Sequence, residues 1–347
     1  MEDRVHFESG LNWLYGANGQ GKTNCLEMIY FVLTSKSFRA SRATDLLCDK
    51  TLQARVHAEV KREMRTISFG VTVAKGKTTR YLGGKSCKSM AFFHAAAAIS
   101  FTSRSKNLVE GSPSDRRLFI DRMISYIDPE HMLVLARYRK THNQLKQILY
   151  RSKNLAVYRS FKAALVPIAF KLAERRISFL ESIRQRATEI YAEVFSGAGK
   201  LHFVYKQKGV SSLPDLEKRM MDVCAQEVLH GKSLVGPHLD DLEINVEQNR
   251  AKHRASSGQV RAIVLSFKIA VRESYKNKLG SYPILLLDDI DAELDGLRLA
   301  GLIKYLSGRG QTIITTSKYA TIVEGPKSSV FEVSAGRISP KGMVNDN

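Results

Sequence analysis

The feature that most constrains this chain is a glycine-rich octapeptide near its start. Residues 16–23 read GANGQGKT and fit the pattern G-x-x-x-x-G-K-[S/T] at every position. That pattern requires a strand before it and a helix after it. LNWLYG at 11–16 is a short apolar, strand-like run, and the run KTNCLEMIYFVLTS that follows carries the apolar residues of a buried helix. The sequence therefore predicts an α/β fold with a loop that wraps phosphate groups.

The residues of this loop are the first candidates for a binding site. Their backbone N–H groups and the N-terminus of the following helix would point at negative charge. Lys22 would reach the terminal phosphates of a nucleotide, and the Thr23 hydroxyl would bind Mg²⁺. The predicted nucleotide-binding residues are Gly16, Ala17, Asn18, Gly19, Gln20, Gly21, Lys22 and Thr23. A glycine turn that binds nothing is the alternative.

A pair of carboxylates far along the chain fits the same chemistry. In ILLLDDIDAELD, four apolar residues precede Asp288 and Asp289, as expected where a buried parallel strand ends. Asp288 would bind Mg²⁺ directly or through water, and Asp289 would polarise an attacking water, acting with Lys22 in catalysis. Two acids at the solvent edge of a strand are the alternative. Most of the chain separates the two motifs, which is typical of ATP-binding-cassette heads with a long insertion.

The charge balance favours a polyanionic partner. The chain has 54 Lys and Arg against 34 Asp and Glu, a formal net charge of +20, which favours nucleic acid over an ordinary basic surface. Residues 103–229 alone hold 23 Lys and Arg and 13 Asp and Glu. Without a zinc-finger, helix-turn-helix or RNP pattern, we expect contact with phosphates rather than base readout. The candidate DNA contacts are Arg104, Lys106, Arg137, Arg139, Lys140, Lys146, Arg151 and Lys153.

Other sequence patterns bound the location and chemistry of the chain. No stretch approaches the roughly 20 apolar residues that span a bilayer, and the acidic start MEDRVHFESG is unlike a signal peptide. We therefore expect a cytoplasmic protein without a membrane partner. The cysteines at 25, 48, 87 and 224 form no CxxC pair, so no zinc or disulfide framework is expected.

The chain resembles the RecF family of bacterial recombination and replication-repair ATPases over nearly its whole length. Four blocks carry the resemblance: GANGQGKTNCLEMIYFV followed by SKSFRA, NLVEGSPSDRRLFIDRMI at 107–124, SLVGPHLDDLEI at 233–244, and ASSGQVRAIVLSFKIA with PILLLDDIDAELD. The resemblance implies an α/β head of the ATP-binding-cassette type, with a mixed sheet and flanking helices, interrupted by a mostly helical arm.

This organisation agrees with the change from α/β patterns to mainly helical patterns, and back, along the chain. Residues 1–102 would form the N-terminal part of the ATPase head, with two or three antiparallel strands over 51–83. Residues 103–229 would form the basic helical arm or lid, and residues 230–347 the C-terminal part of the head. Sustained heptads are missing from the arm, so it is expected to be compact. Pro167 is expected to kink or divide its longest helical pattern.

The resemblance also implies a use for the helix end at SSGQVR. That segment is similar to the signature motif, so Ser256, Gly258 and Gln259 would face the γ-phosphate of ATP held by a second copy of the chain. Asp295 resembles the residue that senses the opposite site. ATP and Mg²⁺ would thus join two copies into a homodimer with weak, DNA-stimulated ATPase activity.

The family's role implies the partners. RecF-like proteins bind duplex DNA near gaps and single-strand junctions, and they act with RecR and RecO mediators to load the recombinase. Two other functions stay open at this point. One is a regulatory or transport ATPase for which DNA is irrelevant, and the other is a degenerate DNA-binding protein with little ATPase activity.

Two features depart from the family pattern, and a third departs only from cassette proteins in general, because RecF-like chains often lack the same histidine. The start MEDRVHFESG lacks the extra strand and FRN-like turn that flank adenine, so either an upstream start or weaker adenine contacts are expected. SFTSRSKN at 100–107 replaces a Pro-Glu-Asp-Leu run, which predicts a basic, flexible loop. Thr315 and Thr316 stand where cassette proteins carry a switch Thr-His.

Overall fold

The computed structural model describes residues 4–40, 43–47, 53–62, 65–74, 76–88, 91–92, 95, 97–195, 199–207, 212–322 and 328–343. The chain forms two compact units. The first contains residues 1–105, 190–197 and 257–347, and the second contains residues 106–189 and 198–256. Residues 230–256 thus group with the second unit, and the three-part domain division given above stays a prediction.

The elements of the described residues follow in chain order. The strands are β1 (Leu11–Tyr15), β2 (Gln53–Arg62), β3 (Arg65–Ala74), β4 (Lys77–Leu82), β5 (Lys85–Ser86), β6 (Ala98–Phe101), β7 (Leu201–Lys206), β8 (Asp241–Val246), β9 (Asn249–Arg250), β10 (Ile284–Leu287), β11 (Thr312–Thr316), β12 (Ser329–Ser334) and β13 (Arg337–Met343). The α-helices are α1 (Lys22–Thr34), α2 (Pro113–Ile127), α3 (Glu130–Arg151), α4 (Leu155–Val194), α5 (Leu213–Asp222), α6 (Cys224–His230), α7 (Ala251–Arg254), α8 (Ser257–Leu279), α9 (Ile290–Glu293) and α10 (Gly296–Leu306). Short 3₁₀ helices occupy Ala43–Leu46, Ser103–Leu108 and Tyr319–Thr321.

The first unit is built on a six-stranded sheet in the order β13-β12-β1-β11-β10-β6. β1 pairs in parallel with β11 and β12, β10 pairs in parallel with β11 and β6, and β13 runs antiparallel to β12. Every residue of β1 and β11 is buried, as expected for parallel strands covered on both faces. Because the carboxyl ends of parallel strands meet at one edge, the loops after β1, β10 and β11 come together.

α1 lies between this sheet and a second, antiparallel sheet in the order β2-β3-β4-β5. Leu26 and Tyr30 of α1 share one buried cluster with Phe69 of β3, Leu286 of β10 and Ile313 of β11. Full burial of each such side chain contributes about 1.5–3 kcal/mol. The predicted antiparallel strands over 51–83 are confirmed, and β5 adds a short fourth strand beyond them. The glycine loop that precedes α1 is thereby fixed to a rigid helix.

α8 is anchored to the sheet by a buried arginine. Arg272 donates from Nε to the Pro283 carbonyl and from Nη2 to the Gln311 carbonyl, both at 3.1 Å. Its guanidinium lies 4.9 Å from the centre of the Tyr282 ring. Burial lowers the pKa of Arg272 to about 10, yet the group stays charged at neutral pH. These contacts fix α8 beside the first residues of β10 and β11.

The second unit is dominated by α2, α3 and α4. Pro167 does not divide α4, which runs unbroken from Leu155 to Val194, so the predicted division there is wrong. One interior proline costs about 3 kcal/mol. Burial of neighbouring apolar residues, such as Leu165 and Leu172, offsets that cost. None of the described helices combines the length and hydropathy needed to cross a bilayer.

Two blocks that carry the family resemblance bind each other inside the second unit. Arg116 donates from Nε and Nη2 to the two carboxylate oxygens of Asp241, at 2.6 and 3.0 Å. Arg117 donates to the carbonyl of Asp240 at 2.7 Å. The paired arginines of NLVEGSPSDRRLFIDRMI thus hold the paired aspartates of SLVGPHLDDLEI, which fixes α2 against β8.

Cys25 and Cys224 contribute to the structure as buried core residues. Cys25, Cys87 and Cys224 are free thiols, and Cys48 lies outside the described residues. Burial raises the pKa of Cys25 and of Cys224, so neither thiol is activated as a nucleophile.

Candidate nucleotide site

The glycine loop follows β1 at the carboxyl edge of the sheet and leads directly into α1. Gly19 and Gly21 have φ values of 84° and 99°, a region that residues with a Cβ rarely adopt. Gly21 is the N-cap of α1, and no side chain caps the helix there. The first N–H groups of α1 therefore face the loop without a side-chain acceptor, which suits an anion.

Lys22 is held inside this loop. Its side chain is 4% exposed, and Nζ donates to the carbonyl oxygens of Gly16 at 2.8 Å and Ala17 at 3.1 Å. Both hydrogen-bond acceptors are neutral, and the charge of Lys22 also interacts with the carboxyl of Asp289. Burying an ammonium group is costly unless it is compensated, and a phosphate group at the loop would add negative charge beside it.

A second part of the loop is tied to the far strand pair β12–β13. Gln20 accepts from the backbone N–H of Ala335 through Oε1 at 2.7 Å, and its carbonyl accepts from the N–H of Gly336 at 2.9 Å. The turn between the two strands thus fixes the middle of the loop. The sequence motif contains no sign of this contact.

Asp288 is the residue around which the site is assembled. It follows β10, and its Oδ1 accepts from the Thr23 hydroxyl at 2.9 Å and from the Thr315 hydroxyl at 3.0 Å. Thr23 opens α1, and Thr315 lies near the end of β11, so three elements meet at one carboxylate. Burial raises the pKa of Asp288, and the charge of Asp289 adds to the rise.

These oxygens fit a magnesium ion. Mg²⁺ prefers hydroxyl, carboxylate, water and phosphate oxygens, usually with one or two carboxylates from the protein. Thr23 and Asp288 already lie at hydrogen-bonding distance and could bind one ion together. No group of three or more His, Cys, Asp or Glu side chains in the described ranges is placed to hold a metal. A metal at this edge would therefore also need oxygens from the nucleotide and water.

Asp289 is held in an unusual backbone conformation beside Asp288. Its φ and ψ are 47° and 48°, in the left-handed region that aspartate enters more readily than most residues. Its N–H donates to the Thr315 hydroxyl at 2.7 Å. Burial raises the pKa of the Asp289 carboxyl, and the positive charge of Lys22 opposes the rise. A carboxyl with a raised pKa close to a phosphate loop can polarise or deprotonate a water.

The SKSFRA segment is attached to the exposed side of α1. The Ser37 hydroxyl and the Arg39 N–H donate to the buried Glu27 carboxylate, and Arg39 Nη1 donates to the Asn24 side chain at 2.8 Å. The charge of Arg39 partly opposes the rise in the pKa of Asp288 that burial causes. Arg39 was not predicted as a site residue, although the SKSFRA segment that contains it is part of the family resemblance.

Gly258, in the predicted signature segment, and Asp295 are brought together by Arg298. Asp295 caps α10 by accepting from the Arg298 N–H at 2.9 Å, and its other oxygen accepts from Arg298 Nη1 at 3.0 Å. The same guanidinium lies against Gly258, in the first turn of α8. Ser256, one of the exposed residues just before α8, belongs to the second unit, and Gln259 is half-buried. No sequence motif predicted that Arg298 would contact these residues.

The predicted DNA contacts are all exposed. They are Arg104, Lys106, Arg137, Arg139, Lys140, Lys146, Arg151 and Lys153. Arg104 donates to the Arg39 carbonyl at 2.6 Å. The loop expected to be flexible at 100–107 instead leads into a 3₁₀ helix, because Thr102 and Ser105 bond each other through N–H···Oγ and N–H···O contacts of 3.0 and 2.8 Å.

Comparison with known proteins places this architecture in a family. The model of the RecF/RecN/SMC N terminal domain matches residues 2–337. The "DNA replication and repair protein RecF" of Pediococcus pentosaceus is 32% identical, over 92% of this chain and 89% of its own length. The protein of the same name from Lactobacillus gasseri is 33% identical, over 98% and 96%.

Solved structures agree on the fold. A structure described as "the recombination mediator protein RecF-ATP in RecFOR pathway" matches with a TM-score of 0.87 at 25% identity, over 98% of this chain and 94% of that one. An Smc head domain from Pyrococcus furiosus matches with a TM-score of 0.55 at 19% identity, over 97% and 90%, and this shows the fold alone. The chain therefore belongs to the RecF family, with the ATPase-head fold that RecF shares with SMC proteins and a helical insertion within it.

Proposed function

We propose that this protein is an ATP-dependent DNA-binding protein of recombinational repair and replication maintenance. The observation that carries the proposal is the 2.9 Å contact between Thr23 and Asp288. It joins the glycine loop to the acidic strand end, as a site for a nucleotide with Mg²⁺ requires. The names of the relatives, and the ATP named with the solved RecF structure, support the same conclusion.

ATP would be held first by the glycine loop. The N–H groups of the loop and of the start of α1 donate to the phosphates, and Lys22 exchanges its carbonyl partners for phosphate oxygens. Thr23 and Asp288 would hold Mg²⁺, which offsets negative charge on the phosphates. Asp289 orients a water for attack and accepts its proton, while Thr315 keeps both acids in position.

The second copy of the chain would complete the site. Ser256, Gly258 and Gln259 of one copy would face the γ-phosphate held by the other, and Asp295 is linked to Gly258 through Arg298. ATP then acts as the link between two heads, and its hydrolysis releases them. Weak hydrolysis by a single chain follows from this sharing, because the contacts that the second copy would make to the phosphate are missing.

DNA would bind through its phosphate backbone. A net charge of +20 per chain becomes a larger positive surface in a dimer, with sequence-independent and salt-sensitive affinity. Duplex near single-strand gaps is the expected substrate. Mediator proteins of the RecR and RecO type are the expected partners in loading the recombinase, and the description of the solved RecF structure as part of the RecFOR pathway supports this.

Sedimentation velocity with and without ATP, Mg²⁺ and duplex DNA tests the proposal. The wild-type chain should change from monomer to dimer with ATP and Mg²⁺, and it should bind duplex more weakly as salt rises. Lys22→Met should remove the ATP-driven dimer while basal DNA binding persists. A chain that stays monomeric at saturating ATP with DNA present would contradict the proposal. A chain that dimerises but neither binds DNA nor is stimulated by it would be a regulatory ATPase.

A further inference from the structure

The two mutually bound family blocks in the second unit enclose a cavity that the nucleotide site does not use. The cavity has a volume of about 180 Å³, and its wall includes Arg116, Asp241, Glu243 and Arg250. Arg116 and Asp241 form one ion pair, and Arg250 and Glu243 form another at 2.8 Å. Both carboxylates of the wall are therefore already compensated.

Arg116 is prepared for a further acceptor. Its side chain is 7% exposed, and its Nη1 donates to the Gly111 carbonyl at 3.0 Å besides the two bonds to Asp241. Guanidinium has five N–H donors, so two remain on a group that lines the cavity. Because Asp241 and Gly111 fix the fork in place, little side-chain entropy is lost when an anion binds.

Two further cations complete the lining, and the charge of one of them, Lys206, lowers the pKa of Glu243 after the larger effect of the hydrogen bond from Asn245. Lys206, at the end of β7, and Lys252, on α7, both line the cavity and are exposed. Lys252 Nζ reaches only the Gly111 carbonyl, at 3.3 Å. With Arg116 and Arg250 they make four positive charges against two negative ones. The cavity thus has an excess of two positive charges before His253 at its rim is counted.

We propose that this cavity binds one backbone phosphate of DNA, a contact that rests on the DNA binding proposed above. Sites that enclose a whole small molecule usually have about 300–1,000 Å³, so this cavity suits a single group whose chain continues outside. An acidic peptide is the competing ligand. Its apolar side chains would need an apolar surface, but Leu242 and Ile244 of the lining are only 2% and 6% exposed. A phosphodiester needs only the charges and N–H donors.

The test compares two lysine pairs in the full-length chain with ATP and Mg²⁺ present. Lys206→Gln with Lys252→Gln removes two of the four cations that line the cavity, and both residues are exposed, so folding should be unchanged. Fluorescence anisotropy with a labelled duplex oligonucleotide, over a range of KCl concentrations, gives the dependence of log K on log salt. Each phosphate contact contributes about 0.9 to this slope. The cavity variant should lose roughly one contact's share of the slope and bind more weakly at fixed salt.

A matched control removes equal charge elsewhere in the same unit. Lys218→Gln with Lys232→Gln changes two exposed lysines that do not line the cavity, and its slope should stay near that of the wild type. An unchanged slope in the cavity variant, or equal losses in both variants, would overturn the proposal. Loss of ATP-driven dimerisation in the cavity variant, with its salt slope unchanged, would also overturn it and would assign these lysines to the dimer contact. Failure of the wild-type chain to bind duplex would instead reject the proposed function itself.

Discussion

The Arg298 guanidinium occupies the space in which any side chain at position 258 would begin. A Cβ built on Gly258 would lie 2.3 Å from Arg298 Nη1, and the same nitrogen donates to Asp295 at 3.0 Å. Glycine at position 258 thus permits this close approach, and a Cβ there would require the end of the Arg298 side chain to move. The arginine connects the start of α8 to the start of α10.

Gly258→Ala should weaken ATP-driven dimerisation about tenfold or more, because the new methyl group displaces Arg298 from both partners. Monomer binding of ATP should be unchanged, since the glycine loop is untouched. Sedimentation velocity and equilibrium binding of a fluorescent ATP analogue separate the two effects. Gly296→Ala is the matched control: its Cβ would meet nothing within 4 Å, so normal dimerisation is expected. Equal defects in both variants would contradict the role of the contact.

Thr315→Val should impair hydrolysis and destabilise the fold. The lost hydroxyl leaves the Asp289 N–H without its acceptor and removes a donor from Asp288, in a fully buried position. A buried unsatisfied group costs about 1–3 kcal/mol, which urea unfolding measures. Thr315→Ser keeps the hydroxyl and should retain most of the stability and of the Mg²⁺-dependent activity. A valine variant with wild-type hydrolysis would show that the acids do not depend on Thr315.

Asp289→Asn should bind ATP and trap the dimer. The amide keeps the shape of the side chain but cannot accept a proton from the attacking water, so hydrolysis should fall by at least about 100-fold. Single-turnover release of phosphate and the lifetime of the dimer after ATP is removed measure the two outcomes. Lys22→Met is the comparison, because it should form no ATP-driven dimer at all. A rapidly hydrolysing Asp289→Asn variant would remove Asp289 from catalysis.

Asp240→Asn should change how stability depends on pH. Burial raises the pKa of Asp240 to about 6, against the hydrogen bond from Tyr205, which lowers it. Between about pH 4 and 6 the folded state keeps a proton that the unfolded state has lost, so wild-type stability should fall as pH rises. The asparagine variant lacks this fall and should gain roughly 2–3 kcal/mol relative to wild type by pH 7. Urea unfolding of both proteins at pH 4 and pH 7 tests this prediction. An equal change in the free energy of unfolding between the two pH values in both proteins would contradict the raised pKa.

The sequence was sufficient where a motif and a strand pattern occur together. The glycine loop, β1, β10 and the two acids after it are local features, because parallel buried strands read as continuous apolar runs. Thr23 and Asp288 could be paired from the motifs alone. The same patterns predicted α8 and the antiparallel strands after residue 51.

Contacts that depend on packing were not visible in the sequence. Thr315 reaches Asp288 only because β10 and β11 pair in the register Leu287 with Ile314, which no local pattern reveals. Arg298 reaches Gly258 because α8 and α10 lie side by side. The predicted division at Pro167 was wrong for the same reason, since its local cost is offset by burial along α4, whereas the predicted kink stays a prediction. The role of Arg116 could not be predicted from its own block, because its partner Asp241 lies far away in the sequence.

Mixing two inactive variants tests most directly whether the nucleotide site is shared between two copies. Lys22→Met removes the proposed phosphate-binding lysine of one copy. Ser256→Arg places a large side chain in the proposed signature segment of the other copy. Each variant alone should hydrolyse almost no ATP with DNA present. If the two variants pair at random in an equal mixture, half of the pairs would combine them and contain one intact site each, giving about a quarter of the wild-type rate, or more if the unmixed variants do not dimerise. A mixture as inactive as its components would contradict the shared site.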